Sequence, residues 1–144
     1  MKAAVTSRLV LDASMTVAWC FSEESTAYTE AVLDLLAVGA EATTPAIWPF
    51  EVVNALLMAE RRKRITTAQG TSVLQRIATL PITVDSIRVD RAFGPILAAA
   101  REQKLTAYDA AYLELAMREG LPLATLGVQL KQAARSAGVA LVRI

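Results

Sequence analysis

Leu9-Val10-Leu11-Asp12 is a short apolar run closed by an acid, and the rest of the chain is read outward from it. Three consecutive apolar residues fit a strand buried on both faces, with Asp12 at its C-terminal end. Similar segments recur. Thr43-Thr44-Pro45 reads as a short strand and turn, Ile82-Thr83-Val84 as a strand, Leu121 to Thr125 as another, and Val139 to Val142 as a last one after Gly138. Helical stretches run between them. Ser25 is placed to N-cap a helix to about Val38, closed by Gly39, and Pro49 suits the first position of a helix to about Arg62. Thr66-Thr67-Ala68-Gln69 matches a capping box opening a helix to about Thr79. Residues 86–103 read as helical, broken or bent by Gly94-Pro95. Thr106-Ala107-Tyr108-Asp109 opens a helix to about Glu119, with Gly120 beyond it, and 128–136 form the last. Short apolar strands alternating with helices predict an α/β fold whose parallel sheet is covered on both faces. No repeat, low-complexity tract or linker divides residues 1–144, so one domain is expected.

Composition removes several chemistries. The chain has no histidine, which excludes Ser-His-Asp and Cys-His machinery and imidazole metal ligands. One cysteine, Cys20, allows neither an internal disulfide nor a multi-cysteine zinc cluster and fits a reducing cytoplasm. Without a histidine partner, Cys20 reads as a packed thiol and not a nucleophile. Lys2 and Arg8 precede an apolar stretch in the manner of a signal peptide, but Asp12 interrupts it early, and no run approaches a membrane span. A soluble, cytoplasmic protein with no membrane partner is expected. The net charge of +1 gives no global field for nucleic acid, so any such binding has to come from local patches.

Three acids stand in apolar surroundings. Asp12 closes the first strand, Glu51 interrupts Ile47-Trp48-Pro49-Phe50 and Val52-Val53, and Asp109 lies within Thr106-Ala107-Tyr108-Asp109-Ala110-Ala111-Tyr112-Leu113. An ionised carboxylate is disfavoured in such places unless it is paired or binds a metal. Ligands of open parallel sheets gather outside the carboxyl ends of the strands. One site with a cation at its centre follows. Each acid also has a plainer reading: a turn cap for Asp12, a first-turn acid on the helix dipole for Glu51, and the N3 acid of a capping box for Asp109.

Leu9 to Ser14, Pro45 to Leu56 and Leu105 to Ala116 together resemble the PIN-domain family, and within it the VapC toxins of bacterial toxin–antitoxin pairs. The resemblance spans essentially the whole chain, and Tyr108-Asp109-Ala110-Ala111-Tyr112-Leu113 is its most specific piece. It implies a PIN-like three-layer fold and an Mg²⁺- or Mn²⁺-dependent endoribonuclease that cuts structured RNA such as transfer RNA. It further implies a homodimer inhibited by a VapB-like antitoxin. Asp12, Glu51 and Asp109 fall on the family's first three acidic positions, as catalytic residues and metal ligands. Ser14 matches a small polar residue of the pocket, and Asn54, one turn beyond Glu51, is placed to bond a ligand water or a carboxylate. The fourth acidic position holds Gly127, which supplies no ligand. Thr125 is then a candidate to hold a metal-bound water, and reduced activity is expected. The alternative is an impaired PIN-fold protein acting by RNA or antitoxin binding alone. A haloacid-dehalogenase-type phosphatase is set aside because Ser14 stands where its second Asp belongs.

Other polar residues have modest readings. Arg61-Arg62-Lys63-Arg64 is either a solvated helix C-terminus or an RNA-phosphate contact. Glu114, about 140° around the helix from Asp109, is expected to face solvent, and Asp90 to be ordinary surface charge. Trp19, Trp48 and Tyr112 read as core or interface residues, with Tyr108 the one aromatic to test for base stacking.

Overall fold

The structure, a computed structural model, describes residues 6–144; Lys2 lies outside them. Strand β1 (Arg8–Leu11) leads into helix α1 (Ala13–Cys20), a single 3₁₀ turn and α2 (Ala27–Ala37). Next come β2 (Glu41–Pro45), α3 (Trp48–Arg61), α4 (Thr67–Ile77) and β3 (Ile82–Asp85). The short α5 (Val89–Arg91), α6 (Leu97–Gln103) and α7 (Ala107–Glu119) cross to β4 (Leu123–Ala124) and α8 (Val128–Ser136). The four strands are parallel in the order β3-β2-β1-β4. The expected last strand contributes only one bridge, Leu141 beside Leu123.

Alternation along β1 sorts the core into two layers. Leu9 and Leu11 join Ala42, Ala124, Met15 of α1, and Val32 and Leu36 of α2. Val10, facing the other way, joins Leu123, Trp48 and Val52 of α3, Tyr112 and Leu113 of α7, and Leu130 of α8. The chain leaves β1 toward β2 on one side and returns to β4 on the other. That reversal makes the C-terminal end of β1 and β4 the topological switch point, where a crevice opens in parallel sheets.

Local signals account for most boundaries. Thr66 and Gln69 form the full reciprocal capping box, and Gly120 takes the left-handed turn (φ 64°) that ends α7. At α2 the N-cap is Thr26, one residue after the expected Ser25, and it forms a capping box with Thr29, while Ser25 Oγ donates to Glu30. Helix α1 carries no amphipathic stripe to announce it, because Ala13, Met15, Thr16 and Ala18 are all buried. Gly94-Pro95 does not break its run. The chain widens into a π turn over Ala92–Ile96, where Leu97 N–H reaches back to Ala92, and helix continues on either side.

Glu114 is not solvent-facing. It is buried and accepts from Arg91 Nη1 at 2.5 Å and from Arg118 Nε at 3.1 Å, while Arg118 Nη2 donates to Asp85 at 2.7 Å. Its angle takes it off the Asp109 face as expected, but α5 and the end of β3 cover the face it turns to. Asp90, by contrast, is exposed and paired with Arg88.

Thr44, fully buried in β2, has a hydroxyl without a hydrogen-bond partner. An unmade buried hydrogen bond costs more than a same-shaped apolar group. Thr44→Val should therefore raise stability by about 1 kcal/mol in urea unfolding. An unchanged or lower midpoint would contradict the assignment of Oγ1 as unsatisfied.

Candidate active site

Strand β1 delivers Asp12 to the switch point, at the N-cap position of α1 with extended backbone. Its side chain makes no capping bond, so the turn-cap reading does not account for it. Only 7% exposed, the carboxylate needs other donors, and hydroxyls supply them. Ser14 Oγ donates to Asp12 Oδ2 at 2.5 Å, and Thr125 Oγ1 donates to the same oxygen at 2.7 Å. Backbone orients both hydroxyls in turn. Leu126 N–H donates to Ser14 Oγ, and Gly127 N–H donates to Thr125 Oγ1, each at 3.0 Å. Asp12 Oδ1 carries neither hydroxyl bond.

Glu51 stands in the first turn of α3, which Pro49 helps to start. Its Oε1 accepts from Tyr112 Oη at 2.7 Å. Burial pushes the Glu51 carboxyl above its usual range, the Tyr112 bond opposes this, and the charges of Asp12 and Asp109 add to the rise. Burial, and then Glu51, push the Tyr112 phenol far up, so it stays a donor. Asp109 lies in the first turn of α7, where its N–H donates to Thr106 Oγ1 at 3.2 Å. Only half of a capping box forms there, whereas Thr26 and Thr66 make both halves. The Asp109 carboxylate is thus not spent on the cap. Burial raises its pKa, and the Asp12 charge raises it further.

Asp12, Glu51 and Asp109 therefore share one electrostatic neighbourhood assembled from β1, α3 and α7. Among the described residues, no three acidic, histidine or cysteine side chains stand close enough to hold an ion unaided. Cys20 offers no competing nucleophile. Its half-buried thiol donates to Thr16 O, and burial raises its pKa to about 11.

The PIN domain family model matches residues 9–136. The chain belongs to the PIN domain family. None of the curated proteins is a match, but solved structures share the fold. VapBC2 from Rickettsia felis, bound to a DNA fragment from its promoter, superposes with TM-score 0.67 at 14% identity, covering 94% of this chain and 97% of that one. VapC20 of Mycobacterium tuberculosis, a toxin cleaving the sarcin-ricin loop, gives 0.66 at 14%, covering 94% and 99%. PAE2754 of Pyrobaculum aerophilum gives 0.64 at 22%, covering 89% and 86%.

Against the PIN pattern, the remaining sequence candidates divide. Ser14 and Thr125 meet at Asp12, with Thr125 bonding the carboxylate itself. Asn54 is exposed on α3 and takes no part in these hydrogen bonds. The basic run lies at the far end of α3, with Arg61 ten residues past Glu51 and so about 15 Å along the axis. Within it, Arg64 is tied internally, to Glu23 at 2.6 Å and over the Phe21 ring. Tyr108 is 61% exposed, as a stacking residue would need to be. Gly127 caps α8 at an ordinary φ of −72°. A Cβ there would meet Thr125 Oγ1 at 3.4 Å and Leu130 Cβ at 3.7 Å, so a side chain fits. The sequence reading assigned Tyr112 to the core and missed its bond to Glu51. Its spacing, three residues after Asp109, was the available signal, since i and i+3 share a helix face.

Both raised carboxylates bind protons more readily in the folded than in the unfolded chain. Without divalent ions, stability should therefore rise as pH falls from neutrality through the raised pKa values toward the ordinary carboxylate range. Glu51→Gln and Asp109→Asn should each raise the metal-free Tm at pH 7 by a few degrees and flatten that slope, as read by calorimetry against pH. Lower Tm values in both variants would show that the charges are compensated.

Proposed function

We propose that the chain is a divalent-cation-dependent endoribonuclease of the VapC toxin type, cutting structured RNA such as transfer RNA. The observation that carries the reading is that, at the sheet edge of a PIN fold, burial raises Glu51 and Asp109 and the charges of neighbouring acids among Asp12, Glu51 and Asp109 raise them further. No histidine or reactive thiol competes for the role.

The donor chemistry fits Mg²⁺ or Mn²⁺, since carboxylate oxygens are hard ligands and their repulsion calls for a cation. Because the three acids do not form a closed cage, they would hold the ion partly through its waters, which Mg²⁺ retains readily. When bound, the ion supplies positive charge to the phosphate and makes a water more acidic. The chain's own residues do the positioning. Ser14 and Thr125 fix Asp12 by one oxygen and Tyr112 fixes Glu51 by one oxygen, so the second oxygen of each stays outside those bonds. Asn54 is assigned to a ligand water, and Arg61, Arg62 and Lys63 to phosphates away from the cut.

A VapB-like antitoxin and a second copy of the chain are the expected partners. Toxin–antitoxin pairs recur among the structural neighbours. Phe50, Val53 and Leu57 leave an exposed apolar stripe along α3, the kind of surface a partner covers. No helix among the described residues is long and apolar enough to cross a membrane, and a transfer RNA substrate puts the work in the cytoplasm. The competing reading, a binding protein with impaired catalysis, rests on Gly127.

Purified protein should cut pooled transfer RNA with Mg²⁺ or Mn²⁺ and not with chelator, and Asp109→Asn should reduce cleavage by at least about 100-fold. Gly127→Asp should increase the rate, since a side chain fits there and the aspartate would restore the fourth acidic position. No cleavage by either the wild type or Gly127→Asp would reject the nuclease reading. Cleavage only after Gly127→Asp would establish the impaired one.

A further inference from the structure

Among the described residues, two other than glycine hold a left-handed backbone, and both are lysines: Lys63 at φ 59° and Lys104 at φ 55°. Gly39, Gly120 and Gly138 fill the other left-handed positions, where the absence of a Cβ removes the strain. Lys104 closes α6 with its N–H on Ala100 O, a turn that glycine would make more easily. A lysine in this conformation is uncommon, and its exposed side chain is free for a role besides the helix cap.

Lys104 stands in a polar groove of about 400 Å³, together with Gln103, Gln129, Gln132 and Ser136. No acid lines the groove, and none of the ion pairs among the described residues involves Lys104. Chain reach keeps one end of each wall within about 18 Å of the carboxylate site. Lys104 is five residues before Asp109, and Gln129, in the first turn of α8, is four residues after Thr125. The spacing has an electrostatic logic. Three carboxylates repel a polyanion, so a substrate phosphate needs a cationic hold nearby, and glutamine amides offer both donors and acceptors to sugars and base edges.

We propose that this groove holds an unpaired RNA segment flanking the cut, with Lys104 on a phosphate and Gln129 and Gln132 on the adjoining nucleotide. The proposal rests on the ribonuclease reading and adds to it a second contact region on the Asp109 side. Binding of fluorescently labelled pooled transfer RNA to the full chain, in chelator and across a salt series, tests it. Lys104→Gly should raise the Tm by relieving the turn, yet weaken binding severalfold and make the log–log salt slope shallower by about 0.7. Lys104→Arg should bind as the wild type does. Gln129→Ala with Gln132→Ala should weaken binding without changing the slope. The higher Tm of Lys104→Gly separates lost contact from lost fold. Wild-type affinity and slope in Lys104→Gly, with cleavage intact, would overturn the groove and leave the ribonuclease reading standing. No RNA binding by the wild type would overturn the groove, and the ribonuclease reading falls with it only if cleavage with Mg²⁺ or Mn²⁺ is absent as well.

Discussion

Asp12 has to stay in place beside two other acids while almost entirely shielded from water, and most of the site's architecture follows from that requirement. Two hydroxyls converge on one of its oxygens, and the N–H groups of residues 126 and 127 hold those hydroxyls. The bond from Thr125 joins the ends of β1 and β4, which are far apart in sequence and adjacent only because of the β3-β2-β1-β4 order. Sheet order, the start of α8 and the orientation of the acid are therefore a single coupled arrangement. Glu51 is held in the same manner by Tyr112, whose own burial keeps it a donor.

The arrangement is costly without a cation. Glu51 and Asp109 ionise less readily than ordinary carboxyls, because each is partly removed from water and faces negative neighbours. Sites that destabilise the fold in this way are common where chemistry is performed. On the present account the same charge problem recurs one step outward, where an anionic substrate must approach an anionic site.

Much of this was legible in the sequence wherever a single local rule governed. The apolar run before Asp12, the Thr66-Gln69 box and the alternation of strands and helices were read correctly because propensity, capping and burial agreed. Reading failed where tertiary context decided. Helix α1 is buried on nearly every side and shows no periodicity to detect. Pro95 is absorbed by a π turn, which depends on what packs around it. Glu114 looked solvent-facing because its helical angle is visible in the sequence while the arginines that cover it come from α5 and its own next turn. The bond from Tyr112 to Glu51 spans 61 residues, so spacing on α7 could mark the face but not the partner.

The central claim is that Asp12, Glu51 and Asp109 jointly hold one divalent-ion site. Calorimetric titration of Mn²⁺ into the wild-type chain at pH 7, repeated with Asp109→Asn and Glu51→Gln, tests it most directly. The account predicts saturable binding that weakens by about tenfold or more in each variant, a loss of at least about 1.4 kcal/mol. Absence of saturable binding, or an affinity that both substitutions leave unchanged, would contradict it.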